Sequence, residues 1–297
     1  MKKAFLLLVS VTAAALLGGC GAAPAPPPQV DAPPALSEPL PPPPPEEEVI
    51  LYTVSTTTEE NTIQTDDGVV LLSSRFQLPV LTVLGEDGSP ITEAETPAQE
   101  QALLNADTFN RKFTDWSSSA SIQDVSDMAK EDYAWYREGG YDWHSGYVLE
   151  LNCTAYQTER MVSVFGLYYS FTGGAHPNSV YLAWNFDLEN GAFFDPEFLG
   201  SGPELQEAVA KELIRQCGEH ASDAGMAPED LFWQDYETIV SNWSSYAVSF
   251  DGEGMTVCFS PYELAAYAAG PQIFEVSYDF LEPYLSEQGR AILGLDT

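Results

Sequence analysis

The spacing of apolar and polar residues along the chain predicts alternating groups of strands and helices. Stretches rich in β-branched and aromatic residues, typical of half-buried strands, occupy positions 51–58, 69–84, 146–156, 161–171 and 180–188. Asp66, Asp67 and Gly68 predict a hairpin turn between the first two strands, and residues 86–88 predict a turn after the second. Residues 189–191 predict a third tight turn, because Asn-Gly tolerates positive φ at both positions.

Two amphipathic helices are expected between the second and third strands. The first spans 97–117 and opens at Pro97, since proline is common in the first helical turn. Its apolar residues recur at helical spacing: Ala102, Ala106, Phe109, Phe113 and Trp116. The second spans 122–137, with Ser121 and Asp124 spaced like a capping box. One side of it carries Ile122, Val125, Ala129, Tyr133 and Tyr136. Both helices should pack on one face of the sheet.

The last third of the chain predicts a second group of elements. A helix over 203–217 is followed by another that opens at Pro228, with an inner face of Phe232, Tyr236, Ile239 or Val240, and Trp243. Strands are expected at 246–250, 255–259 and 273–278, before a helical tail over 281–293. This order predicts an α+β protein with largely antiparallel sheets and helices packed on one face.

A glycine-built corner joins the strands at 161–171 and 180–188. Gly173 and Gly174 can take backbone angles that other residues avoid, and the following Pro177 favours a turn. The corner should therefore be rigid. His176 follows the two glycines, and we expect its ring to hydrogen-bond the turn backbone. The alternative is a ligand-facing role, because loop residues on rigid scaffolds often serve binding.

A second motif, PYELAAYAAG, begins at Pro261 and includes Tyr262 and Glu263. The pair GGAH and PYELAAYAAG resembles the extracytoplasmic domain of RsiV-type anti-sigma factors and the non-catalytic N-terminal domain of PdaC-type peptidoglycan deacetylases. The resemblance runs from about residue 51 to the C-terminus. It implies an N-terminal part of the module over 49–160 and an RsiV-like domain over 161–297. It also implies a domain without catalytic activity.

The first 48 residues predict export and a lipid anchor. Residues 1–19 form a signal peptide with Lys2 and Lys3 before a short apolar run, and they end in a lipobox, LGGC, at Cys20. A plain secretory signal with an incidental cysteine is the alternative. Residues 20–48 are proline-rich and favour an extended, disordered spacer, roughly 70–80 Å long at about 3 Å per residue. A proline-motif ligand for another domain is the other interpretation of this segment.

Lipidation of Cys20 is the first testable expectation, because the lipobox places that cysteine at the processing site. Replacing Cys20 with alanine should release the protein from the membrane fraction, as followed by cell fractionation and immunoblotting. A Cys20→Ala protein that stays anchored, with unprocessed wild type as the norm, would show that the assignment is wrong.

The charge balance is strongly acidic. The chain has 45 Asp and Glu against 11 Lys and Arg, a formal net charge of −34. Such a surface repels nucleic acid and anionic lipid, so we expect neither as a direct partner. It steers cationic proteins and peptides towards the domain, and lysozyme is the known type of ligand among RsiV-type domains. The alternative is that acidity only keeps the protein soluble.

No motif in the chain predicts catalysis, a cofactor or a metal site. His144, His176 and His220 lie outside any zinc-ligand spacing. The sequence has no GxSxG elbow, phosphate-binding glycine loop or dinucleotide fingerprint. A scattered Ser/His/Asp triad stays open, because triads are recognised by geometry. Glu263 is expected at a helix start, where its carboxylate meets free N–H groups.

Cys153, Cys217 and Cys258 are the cysteines left after Cys20. Cys153 and Cys258 fall in predicted strands and Cys217 on an apolar helix face, so we expect three buried thiols. Since exported proteins permit disulfides, one bridge with one leftover thiol is the alternative.

These observations favour an extracytoplasmic, non-enzymatic lipoprotein on the bacterial cell membrane. The signal and spacer stand where anti-sigma relatives carry a cytoplasmic segment and a transmembrane helix, so an anti-sigma function is not expected. The domain would sense or sequester a cationic ligand such as lysozyme, or bind a peptidoglycan-associated partner. The alternative is a hydrolase or deacetylase-like enzyme acting on wall glycans. Converging carboxylates in a cleft would favour the enzyme, and a shallow aromatic and acidic groove would favour the binding module.

Overall fold

The structure, a computed structural model, describes residues 49–295. The predicted signal peptide, Cys20 and the spacer over 20–48 lie outside the described residues. The described residues belong to a single unit of packed chain. None of the helices between residues 49 and 295 is long and apolar enough to cross a membrane.

The larger of two sheets has six strands in the order β1 to β6. They are β1 (Leu51–Gln64), β2 (Val70–Leu84), β3 (Tyr147–Gln157), β4 (Met161–Phe171), β5 (Asn178–Asp187) and β6 (Ala192–Phe194). Neighbouring strands are antiparallel except for β2 and β3, which are parallel. A parallel pair needs a long crossover, and two helices supply it here. The predicted α+β class is confirmed.

Helices α1 (Pro97–Ser117) and α2 (Ala120–Gly139) form that crossover and share a hydrophobic core with the sheet. The rings of Phe109 and Phe113 are fully buried, and Phe109 meets Phe186 of β5 edge-on, with ring centroids 5.3 Å apart. The capping box predicted at Ser121 and Asp124 is wrong. The helix begins two residues earlier than predicted, so its N-cap is Ser119. The Ser119 side chain makes no capping hydrogen bond.

The smaller sheet is antiparallel and forms a second layer with helix α3 (Glu204–Asp223). Its strands are β7 (Ala247–Phe250), β8 (Gly254–Phe259) and β9 (Gln272–Ser277). Every fourth residue of α3 points into a second core, as the apolar spacing predicts: Leu205, Val209, Leu213 and Cys217. The predicted boundary at residue 160, between the N-terminal part of the module and the RsiV-like domain, falls at the turn between β3 and β4. The division itself stays a prediction.

The single helix predicted from Pro228 is wrong. The segment forms α4 (Pro228–Leu231), α5 (Tyr236–Val240) and one 3-10 turn at Trp243–Ser245. Phe232 leaves the helix in an extended conformation and bridges to Ala265, and the Trp233 N–H donates to the Leu264 carbonyl at 3.0 Å. The apolar spacing suggested one helix because side chains from all three pieces enter the same core.

The continuous helical tail predicted over 281–293 is also wrong. The chain forms α6 (Tyr278–Leu281), a 3-10 turn at Glu282–Tyr284 and α7 (Glu287–Leu293). Leu285 is extended, and the Ser286 hydroxyl accepts from the Gly289 N–H at 2.9 Å. Ser286 also donates its own N–H to the Leu199 carbonyl, so a tertiary contact starts a new helix here.

Candidate functional site

The two sequence motifs meet on one surface, although they lie far apart in the chain. The ring of His176 stacks on Tyr267, with centroids 4.0 Å apart, and the Tyr267 hydroxyl donates to the Pro177 carbonyl at 3.0 Å. The Tyr181 N–H donates to the Ser260 hydroxyl at 3.1 Å. We call residues 173–177 together with residues 260–267 the motif face.

The glycine corner has the backbone geometry that its sequence predicts. Gly173 and Gly174 have φ angles of +88° and +92°, in the region that favours glycine. The His176 ring is exposed, and its Nδ1 lies 2.9 Å from the Pro177 carbonyl oxygen, to which it donates in the matching tautomer. The histidine therefore contacts the turn backbone and also faces solvent, where a ligand can reach it.

Valine at either glycine of the corner should destabilise the fold by about 1–2 kcal/mol or more, because a β-branched residue strains at positive φ. A Cβ at Gly174 would meet no atom within 4 Å, so the loss there would come from backbone strain alone. Melting temperatures of Gly173→Val and Gly174→Val measure the effect. Gly218→Val in α3, which also has open space and no positive φ, is the control. Wild-type melting temperatures for both corner variants would contradict the structural role of the corner.

The segment from Pro261 is a turn and not the helix start predicted for Glu263. Tyr262 has a φ of +76°, which does not continue into a right-handed helix. Glu263 folds back, and its Oε2 accepts from the Ser260 N–H at 2.5 Å. The carboxylate therefore satisfies a backbone donor of the turn and remains exposed to solvent.

Tyr262 is the only non-glycine residue with positive φ among residues 49–295. Its N–H donates to the Ala265 carbonyl at 3.1 Å, and its carbonyl accepts from the Trp233 indole at 3.0 Å. The side chain is nevertheless 54% exposed. Strained backbone held by several contacts is concentrated at binding and catalytic sites. Trp233 gave no signal in the sequence, since its contact depends on the break after α4.

A groove of about 480 Å³ lies beside the motif face, between the outer edge of β5 and the start of β7. Glu263 belongs to both the motif face and the groove, and Asp195 lies in the wall after β6. Lys112 also lines the groove, with its ammonium 5.8 Å from the centre of the Phe193 ring. Much of the remaining wall is aromatic: Tyr181, Trp184, Phe193, Phe194, Trp243 and Tyr246. The groove is therefore aromatic, with two acidic groups and one basic group in its wall.

A buried polar bridge fixes the two sheets beside this groove. The Ser163 hydroxyl donates to Asn185 Oδ1 at 2.8 Å, and Asn185 Nδ2 donates to the Val248 carbonyl at 2.9 Å. The Phe250 N–H donates to the Ser163 hydroxyl at 2.8 Å. Both side chains are almost fully buried. The bridge therefore sets the position of β7 relative to β5, and with it the width of the groove.

The other candidate residues are dispersed. His144 is exposed after α2, and His220 stacks on Phe274 with ring centroids 4.8 Å apart. Within residues 49–295, no group of three or more His, Cys, Asp or Glu side chains is arranged to hold a metal ion. The motif face is the only place where the structure brings several of the predicted site residues together in the described part of the chain: Gly173, Gly174, His176, Pro261, Tyr262 and Glu263.

The three cysteines of the described chain are free thiols, with Cys217 and Cys258 buried and Cys153 half-buried. Burial raises the pKa of each thiol to about 12. The folded chain without its signal peptide and anchor cysteine (residues 21–297, called the mature chain below) should therefore react slowly with a thiol reagent at about pH 8, where an ordinary thiol is partly ionised. Mass spectrometry after non-reducing denaturation should count three free thiols. A defined disulfide would refute this prediction.

Comparisons with known proteins relate this arrangement to one domain family. Residues 193–279, from β6 to the start of α6, match a family model described as "Protein of unknown function (DUF3298)". This range includes Tyr262 and Glu263 but not the glycine corner. Among curated proteins, none matches the sequence.

Two crystal structures of DUF3298 family proteins resemble the chain. One, from Bacteroides fragilis NCTC 9343, has a TM-score of 0.58 at 14% identity and covers 84% of this chain and 99% of its own. The other, from Pseudomonas aeruginosa PAO1, has a TM-score of 0.45 at 14% identity, over 80% of this chain and 96% of its own. The first likeness shows a shared fold over most of the chain.

Proposed function

We propose that the protein is a non-enzymatic, lipid-anchored binding module that captures a cationic protein outside the cell membrane, with lysozyme as the first candidate. The observation that carries the proposal is Tyr262, an exposed aromatic ring on a strained and hydrogen-bonded turn, next to the carboxylate of Glu263. The resemblance of the GGAH and PYEL motifs to RsiV-type domains points to the same class of ligand.

The motif face suits a protein ligand because backbone hydrogen bonds and ring contacts within the face hold its exposed tyrosine in place. The Tyr262 backbone is fixed at both its N–H and its carbonyl, and the Tyr262 ring centre lies 5.4 Å from that of Tyr267. Tyrosine is enriched among the residues that dominate binding energy, since it supplies a large contact area and loses little rotamer freedom. A ring presented in this way contributes affinity without a large ordering cost.

Electrostatics supply the preference for a cationic partner. The chain carries a formal net charge of −34, and Glu263 and Asp195 add local negative charge beside the motif face. Long-range attraction of this kind raises the association rate and weakens as salt shortens the Debye length. Contacts made by desolvated aromatic rings depend less on salt, so a specific complex should persist at moderate ionic strength.

The predicted lipid anchor would localise the binding module. A lipid on Cys20, as the lipobox predicts, would keep the folded domain at the outer face of the cell membrane. A captured cationic hydrolase would then be sequestered, or sensed, before it reaches the membrane surface.

Calorimetric titration of lysozyme into the mature chain, at low salt and at about 0.15 M salt, tests this function. We expect a saturable one-to-one isotherm under both conditions, with a lower affinity at the higher salt. Binding that disappears at moderate salt would mean only unspecific charge attraction. No binding at either salt would remove lysozyme as the ligand. Turnover of a wall glycan by the purified chain would instead favour the hydrolase or deacetylase alternative.

A further inference from the structure

The outer edge of β5 leaves part of its backbone unpaired beside the groove. Hydrogen-bonding groups of an antiparallel strand point alternately to its two sides. The Leu188 N–H donates to the Arg160 carbonyl, towards the β4 side, while the Tyr181 N–H points away from β4 to the Ser260 hydroxyl. Odd-numbered residues of β5 therefore direct their N–H and C=O groups outward, and Ala183 is one of them.

Neighbouring elements bind the outward backbone groups of β5 on either side of Ala183 but not those of Ala183 itself. The Ser260 hydroxyl occupies the outward N–H of Tyr181, and β6 pairs only with residues 185–187. Continuing the register of β6 would place Pro196 opposite Ala183, and proline has no N–H to donate. In the part of the chain that the structure describes, no hydrogen bond reaches the outward N–H or C=O of Ala183.

The opposite wall of the groove also presents free donors. The Val248 carbonyl points away from β8 to accept from Asn185, so the Val248 N–H points the same way, and it has no partner among residues 49–295. The indole N–H of Trp243, another residue of the wall, is likewise buried without a hydrogen-bond partner in the described chain. Buried donors in native proteins are almost always satisfied. The outward backbone groups of Ala183 and Val248 therefore offer hydrogen-bonding partners along this groove to a ligand with peptide groups.

We propose that an extended segment of the partner protein inserts into this groove and pairs with β5 at Ala183, as an added strand. The inference rests on the proposed function and names the form of the ligand there, a short basic peptide strand. The five residues of β5 from Tyr181 to Asn185 span about 13 Å at the usual strand rise, which matches a partner segment of about five residues.

A basic polypeptide fits this groove better than a glycan or a second copy of the chain. Alternating donors and acceptors along a strand edge match a peptide backbone, whose N–H and C=O groups repeat every second residue on one side. The groove walls hold two carboxylates, Glu263 and Asp195, against one ammonium group, that of Lys112, so a lysine or arginine of the segment can meet a carboxylate. A second copy of this chain would bring the same net negative charge.

Two synthetic pentapeptides of alternating lysine and valine test the proposal, one normal and one with its backbone amides N-methylated. They carry the same charge, but only the normal peptide can donate to a strand edge. Binding to the mature chain is measured by tryptophan fluorescence and by the amide NMR shift of Ala183. We expect the normal peptide to bind at least about tenfold more tightly and to shift the Ala183 amide.

The variant Ala183→Pro provides a second test of strand addition, because it removes the outward N–H of residue 183 without breaking a hydrogen bond to β4. The variant should bind both peptides equally weakly. Equal binding of the two peptides to the wild type would overturn strand addition and leave charge recognition in place. Lysozyme binding without binding of either peptide would also overturn strand addition, while the proposed function stands. If neither lysozyme nor the peptides bind, both proposals fail.

Discussion

Replacing Asn185 with alanine is expected to lower the free energy of unfolding by about 2–4 kcal/mol, which is a large loss for one polar side chain. The change removes the donor to the Val248 carbonyl and the acceptor for the Ser163 hydroxyl, both in the buried junction between the two sheets. Buried polar groups that lose their partners retain the full cost of leaving water. The smaller sheet should also shift relative to β5.

Urea denaturation of the mature chain measures this effect. Asn61→Ala makes the same chemical change at an exposed position of β1 and should alter the free energy of unfolding by no more than about 0.5 kcal/mol. Combining Asn185→Ala with Ser163→Ala should cost less than the sum of the two single changes, because the side chains belong to one network. Equal stability of Asn185→Ala and Asn61→Ala would show that the bridge does not hold the sheets together.

Helices α1 and α2 and most strands of the larger sheet could be predicted from the sequence, because local signals and tertiary packing agree there. The apolar residues of α1 recur at helical spacing, and the same residues, such as Phe109 and Phe113, are the ones the structure buries. The Asp67-Gly68 turn falls between β1 and β2, which it was expected to join, and the Asn190-Gly191 turn follows β5 as predicted, although the short strand β6 after it was not predicted. Fold class follows from the order of such elements.

The irregular regions could not be predicted, since tertiary contacts override the local pattern. Phe232 and Trp233 leave the helix to contact residues 264 and 265, which are distant in sequence. The start of α7 depends on a bond from Ser286 to Leu199. Helical spacing of apolar residues indicates only that their side chains enter the same core. Three short helical segments can produce that spacing as well as one long helix.

The candidate site was only partly visible in the sequence. The two motifs identified Gly173, His176 and Tyr262, and the structure brings their segments together. The strained conformation of Tyr262 and its bond from Trp233 depend on the fold, and no residue type marks them. The unpaired edge at Ala183 is a property of strand register, and an alanine in a strand carries no signal of its own.

Removal of the Tyr262 side chain should have the largest effect on binding. Tyr262→Ala and Tyr262→Gly are both expected to weaken lysozyme binding by about ten- to a hundredfold, as for other exposed aromatic anchors. The two variants differ in backbone strain, because glycine accepts a φ of +76° and alanine does not. Tyr262→Gly should therefore be more stable than Tyr262→Ala by about 1 kcal/mol, as measured by urea denaturation.

Tyr141→Ala is the matched control for loss of an exposed tyrosine. Tyr141 is 59% exposed and stacks on Trp135, with ring centroids 5.7 Å apart, beyond the end of α2. It lies outside the motif face, so its removal should leave lysozyme affinity within about twofold of the wild type. An equal loss of affinity for Tyr141→Ala and Tyr262→Ala would mean that aromatic surface in general, and not the turn at Tyr262, binds the ligand.

Specific binding of a cationic protein at the motif face is the central prediction for this protein. Calorimetric titration of lysozyme into the wild-type mature chain and into Tyr262→Gly, side by side at about 0.15 M salt, addresses this point. The prediction is a saturable one-to-one isotherm for the wild type and an affinity at least about tenfold lower for the folded variant. Absence of saturable binding to the wild type, or the same affinity for both proteins, would contradict it.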